Sequence, residues 1–166
     1  MFRPAEALFL GRHINKIDAK GRIAAPAEYR RAMKLDSFNG FFCVPSLVGP
    51  HLDCVGSDFI EALQAMISAL DPFDQDRIDL QESVIGQARP IPFDGDGRFI
   101  LPQILRDHAE LDEQALFVGC GSTFQIRSAK GAEERLAKSS ERARAALSRL
   151  KNPVLPPGPS GQGGGQ

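Results

Sequence analysis

Apolar residues punctuate two stretches of the chain, 9–17 and 85–93, in patterns that suit short β-strands. Pro90 and Pro92 restrict the second stretch to an edge or broken strand, because proline gives no N–H to a ladder. Each stretch runs into Asp-x-x-Gly-Arg, at Asp18 to Arg22 and at Asp94 to Arg98. That pattern predicts a turn in which the Asp bonds backbone N–H groups and the Gly takes a positive φ. Arg-Ile-Ala-Ala from Arg22 and Arg-Phe-Ile-Leu from Arg98 read as short returning strands. Pro26 and Pro102 end those strands and fit the first turn of a helix, where a missing N–H costs nothing. Short helices are expected at 27–33 and 103–109, with further strands at 40–44 and 115–120.

These two stretches are copies of one unit. At an offset of 76, Asp18, Gly21, Arg22, Pro26 and Arg30 fall on Asp94, Gly97, Arg98, Pro102 and Arg106. The match continues at Leu35-Asp36 on Leu111-Asp112, Phe41 on Phe117 and Ser46 on Ser122. The coincident residues set turns and helix starts, so the repeat is one of structure: β–turn–β–α–β, twice. One such unit is too small to bury a core, and pairing the two by a pseudo-twofold axis supplies one.

Between and after the repeats the period changes. Phe59, Ile60, Leu63, Met66, Ile67 and Leu70 recur at helical spacing over 57–70, with Asp58 where an acid suits a helix start. A second helix is expected over 74–85, and a third over 128–150 with Leu136, Ala143, Leu147 and Leu150 on one narrow face. From 152 onward Pro and Gly dominate, and this tail is expected to be disordered. The resulting division is a first unit at 7–50, a helical connection at 51–84, a second unit at 85–127, a C-terminal helix at 128–151 and a tail at 152–166.

Composition is that of a globular chain: 42% hydrophobic and 25% charged over 166 residues, with a net charge of −1. The distribution along the chain is more informative. Residues 12–34 carry a net of +5, 50–86 a net of −7 and 128–151 a net of +4. A basic segment can form an anion-binding face on a neutral protein, since exposed charges act over about one Debye length. No apolar run is long enough for a membrane span, and 7–10 is too short for a secretory segment, so a cytoplasmic location is expected. Cys43, Cys54 and Cys120 form neither a zinc-ligand pattern nor a disulfide framework, and read as small buried hydrophobes or solvated thiols. No metal and no cofactor is expected. The chain lacks a P-loop, a nucleophile elbow and a metal-ligand cluster, which points away from an enzyme.

The motif Asp-x-Lys-Gly-Arg-Ile-x-x-Pro-x-x-Tyr-Arg from Asp18, with its second form from Asp94 through Leu111, resembles the MraZ family. The resemblance spans roughly residues 7–127. It implies an α+β fold of tandem SpoVT–AbrB-like swapped-hairpin β-barrel units with peripheral helices. It also implies a ring-shaped homo-oligomer, association with the nucleoid, and binding to double-stranded DNA. The family regulates the cell-division and cell-wall gene cluster through short direct repeats upstream of its own operon. Its Asp-x-x-x-Arg element, implicated in DNA contact, falls here on Asp18 with Arg22 and on Asp94 with Arg98.

The chemistry of those residues agrees with that role. Arg22 can pair bidentately with guanine or with a phosphate, Asp18 can hold the guanidinium in place, and Lys20 at the loop tip suits phosphate positioning. Lys16 and Arg12 extend the basic segment. The second turn, Asp94-Gly95-Asp96, is acidic where the first offers Lys20, so its affinity for DNA should be lower. Two alternatives stay open. Asp18 can cap its turn while Arg22 forms only an intrachain ion pair, and Arg30 and Arg106 can pair with acids inside the fold or meet DNA. A protein-interaction module that forms rings without DNA is the second functional reading.

Overall fold

The structure, a computed structural model, describes residues 8–34 and 36–150. Leu35 and the tail expected at 152–166 lie outside the described residues. The described part is α+β, with eight strands and five helices. The order is β1 (Arg12–Lys16), β2 (Arg22–Ala24), α1 (Ala27–Met33), β3 (Gly40–Pro45), β4 (His51–Val55), α2 (Ser57–Ser68) and α3 (Gln75–Ser83). A 3-10 turn at Ile85–Gln87 leads into β5 (Arg89–Pro92), β6 (Arg98–Ile100), α4 (Gln103–His108), β7 (Gln114–Gly119), β8 (Phe124–Ser128) and α5 (Ala132–Leu147). Two compact units divide the chain at Lys130, and α5 belongs to the second.

Six strands form one antiparallel sheet in the order β1-β7-β8-β4-β3-β5, and β2 pairs with β6 in a separate ribbon. The pairings cross between the repeats. The first strand of repeat one, β1, pairs with β7 of repeat two, and β5 of repeat two pairs with β3 of repeat one. The expected closed barrel does not form among the described residues: the six-stranded sheet is open, ending in β1 and β5. Pro90 and Pro92 lie in β5, so that edge offers few N–H groups for further pairing.

The offset of 76 does not run through the third strands. His13 lies opposite Phe117, whereas its offset counterpart Arg89 lies opposite Cys43, two residues beyond Phe41. The match of Phe41 with Phe117 is therefore one of sequence and not of register. Two strands escaped the sequence reading. β4 occupies the start of the stretch expected to be a helical connection, and β8 lies in a stretch that carried no expected element until the helix at 128. That helix begins four residues late, at Ala132.

The core is aromatic. Tyr29, Phe41, Phe117 and Phe124 are fully buried, and Phe9 and Phe99 nearly so. Phe124 sits at the centre, with ring centroids 4.9 Å from Phe9, 5.1 Å from Tyr29 and 5.3 Å from Phe41. The Tyr29 hydroxyl donates to the Gly11 carbonyl at 2.8 Å, which satisfies the polar end of a buried ring. Cys43 and Cys54 lie opposite each other on β3 and β4, buried and free, with sulfurs 3.3 Å apart, while Cys120 is exposed. Asp36 ties α2 to the repeat, its Oδ2 accepting from the Ser57 N–H at 2.6 Å.

Candidate nucleic-acid interface

The two Asp-x-x-Gly-Arg segments fold alike. In the first, the Gly21 N–H donates to the Asp18 carbonyl at 2.9 Å and the Asp18 N–H donates to the Arg22 carbonyl at 3.0 Å. The Asp18 carboxylate then takes three donors: the N–H groups of Lys20 at 2.9 Å and Arg22 at 2.8 Å, and Arg22 Nε at 2.7 Å. Asp94 repeats this with Asp96 N–H at 2.9 Å, Arg98 N–H at 2.9 Å and Arg98 Nε at 3.0 Å. Gly21 and Gly97 stand at φ +82° and +72°, a region where an L side chain is strained.

The Arg22 N–H holds the Asp18 carboxyl below the usual carboxylate range, against some desolvation and with help from the guanidinium. Asp94 is lowered likewise, first by the Arg98 N–H. Both carboxylates are ionised at neutral pH and fix the inner edge of each guanidinium. Asp18 thus caps its turn and pairs with Arg22, the two features of the intrachain alternative. The ion pair still leaves the terminal amino groups of Arg22 without a partner among the described residues. Arg98 is more occupied, because its Nη2 also donates to Asp96 at 3.0 Å.

The turns sit at the two ends of the β2–β6 ribbon. Arg22 lies opposite Ile100, Ile23 opposite Phe99 and Ala24 opposite Arg98. Side chains alternate along a strand, so Ile23 and Phe99 enter the core at 0% and 2% exposure. Arg22, Ala24, Arg98 and Ile100 share the other face, and Ile100 is 55% exposed there. Two strand positions separate the arginines, roughly 7 Å along the ribbon. Asn15 Nδ2 donates to the Ala24 carbonyl at 2.6 Å and ties the ribbon to β1.

The remaining candidates spread out from this face. Lys20 is exposed at the tip of the first turn, and Lys16, exposed at the end of β1, is two residues before Asp18. Arg12 stands at the other end of β1, opposite Val118, roughly 14 Å along the strand from Lys16. Arg30 and Arg106 do not pair with acids among the described residues. Each lies against the turn of the other repeat: a Cβ on Gly97 would meet Arg30, its Cδ at 2.7 Å, and one on Gly21 would lie 3.2 Å from Arg106 Nη1. The Nε of both is buried without a hydrogen-bond partner. Arg30 and Lys34 line a cleft of about 270 Å³ with Asn39, Asp94, Gly95 and Gly97, so the first repeat brings cations to the acidic second turn. The sequence signal for these arginines was their coincidence in the repeat.

No helix among the described residues is long and apolar enough to cross a membrane. A family model described as "MraZ protein, putative antitoxin-like" matches residues 84–152. The chain is 37% identical to a transcriptional regulator MraZ of Rickettsia akari over 145 residues, covering 87% of this chain and 97% of that protein. It is 41% identical to the transcriptional regulator MraZ of Rickettsia typhi over 119 residues, covering 72% of this chain and 80% of that one. With crossed repeats, paired Asp-x-x-Gly-Arg turns and similarity over nearly the whole chain, this protein belongs to the MraZ family.

Proposed function

We propose that this protein is a DNA-binding transcription regulator and that the solvent face of the β2–β6 ribbon is its reading surface. The observation that carries this is the pairing of Arg22 and Arg98 at opposite ends of one exposed two-stranded ribbon, each braced by its own Asp. A two-stranded ribbon fits the major groove, which is about 12 Å wide. Arg22 and Arg98 can reach guanine edges, while Ile100 and Ala24 suit thymine methyl groups. Lys20, Lys16 and Arg12 add sequence-independent phosphate contacts, with Arg30 and Arg106 behind the turns. Asp18 and Asp94 serve as positioning residues. The relatives named as transcriptional regulators support the same reading.

One ribbon spans too little DNA for high specificity. Several ribbons in a cytoplasmic, nucleoid-associated homo-oligomer, on short direct repeats upstream of the protein's own operon, raise affinity without new contacts. The test is a gel shift on the DNA upstream of the gene, in a salt series. Binding that weakens steeply with salt and favours this DNA over random sequence is expected. Failure to bind at low salt would reject the reading and leave the protein-interaction module.

A further inference from the structure

The two repeats differ where the first helix meets the second turn. At the offset of 76 Arg30 matches Arg106, but Lys34 stands where the second repeat has Glu110, and Phe93 where the first has Ile17. Arg30, Lys34 and Phe93 come together in the cleft of about 270 Å³ between the end of α1 and the Asp94 turn. That volume is near the lower end of small-ligand pockets. Met33 and the half-buried Phe93 give the cleft apolar sides, and Asn39 adds an exposed amide. The side chains of Arg30 and Lys34 pair with no acid among the described residues. The Arg30 Nε is buried without a hydrogen-bond partner, so part of its charge has lost water and gained no anion. The acids nearby are already engaged. Asp94 accepts from two turn N–H groups and from Arg98 Nε, and Asp96 pairs with Arg98 Nη2. Counting Arg98, three cations stand at the cleft and its rim against two carboxylates, and Arg98 bonds both carboxylates. The matching place around Arg106 has Glu110 instead of a lysine, so the second repeat cannot offer the same pair of cations.

We propose that this cleft binds a small phosphate monoester carrying a planar ring, of the nucleoside monophosphate class. Lys34 meets the phosphate as a point charge and Arg30 as a fork. The ring lies against Phe93 and Met33, and the Asn39 amide, both donor and acceptor, meets its polar edge. A monoester carries about −1.5 to −2 charges near neutral pH, which suits two unpaired cations. A phosphate of the DNA backbone shares the chemistry, but it carries one charge and its base is stacked inside the duplex. The mixed apolar and amide walls therefore favour the free monoester. The cleft shares no residue with the solvent face of the β2–β6 ribbon, so the inference stands apart from the DNA reading.

The test is calorimetric titration of the full-length chain, free of DNA and in a phosphate-free buffer, with adenosine monophosphate, adenosine and inorganic phosphate. The monophosphate should bind, and each fragment should bind more weakly. Lys34→Glu, which installs the residue of the second repeat, should weaken the monophosphate about tenfold or more. Asn39→Ala, a second change at an exposed position, should weaken it less. Arg31→Glu makes the same charge change on an exposed neighbour outside the cleft and should stay within about twofold of wild type. Thermal melts confirm that each variant is folded. Wild-type protein that gives no binding heat up to millimolar monophosphate overturns the proposal. So does a folded Lys34→Glu protein of unchanged affinity, or an Arg31→Glu protein that loses as much, since the attraction would then be diffuse. A cleft that serves the DNA backbone instead leaves the monophosphate unbound while Lys34→Glu weakens operator and random DNA alike, and that result also overturns it. Because the titration contains no DNA, a failed gel shift rejects the ribbon reading and leaves this result untouched.

Discussion

The Arg30 guanidinium of the first repeat lies against Gly97 in the turn of the second, so that a methyl group on Gly97 would occupy the space of the arginine. Arg106 approaches Gly21 in the reverse sense. Each Asp-x-x-Gly-Arg turn is therefore supported by the other repeat's helix. The crossed pairings β1–β7 and β5–β3 carry the same exchange into the sheet.

Gly97→Ala should destabilise the fold, since φ +72° alone costs an L residue about 1–2 kcal/mol and Arg30 must also move. Gly95→Ala is the control two residues away: its Cβ would meet nothing within 4 Å, and its φ is not positive. Thermal denaturation of both variants should show a clear drop for the first and almost none for the second.

Phe124→Ala should cost about 3–5 kcal/mol, because a fully buried ring among four aromatic neighbours leaves a cavity that they cannot collapse to fill. Phe73→Ala, at a ring 95% exposed, should stay within about 0.5 kcal/mol of wild type. Denaturant unfolding of the two variants measures the contrast.

Burial at 7% exposure pushes the His51 imidazole below its ordinary pKa, and Arg127 adds to this against the opposing pull of Asp53. The folded state thus holds His51 neutral while the unfolded chain takes up the proton first. Its contribution to stability is complete above the ordinary histidine range and is lost as pH falls through that range to the depressed folded value. Melting temperature should decline on acidification from pH 7 to pH 5, and His51→Gln should flatten that decline.

Much of this architecture was legible in the sequence because it depends on residues with special backbone needs. Asp18, Gly21 and Pro26 mark a turn and a helix start by local chemistry, and their recurrence at Asp94, Gly97 and Pro102 exposed the repeat. β4 was hidden for the opposite reason. Its five residues are buried on both sides of the pleat and show little alternation, so nothing local separates them from a loop. β8, Phe-Gln-Ile-Arg-Ser, does alternate, but over only five residues, a weak period beside the sixteen-residue helix that soon follows. The strand crossing and the contact of Arg30 with Gly97 are tertiary relations over long sequence separations, and no window of sequence contains them.

The most direct test of the ribbon as a reading surface is the affinity of Arg22→Ala for operator and for random DNA, at fixed salt and with unchanged oligomer size. A loss of about 1–3 kcal/mol per engaged ribbon is predicted on the operator, with the gap between operator and random DNA narrowed. Lys20→Ala should instead weaken both DNAs alike and flatten the salt dependence. Arg98→Ala should do less than Arg22→Ala, because Asp96 already takes one of its amino groups. An Arg22→Ala protein that keeps both its operator affinity and its preference over random DNA would contradict the account.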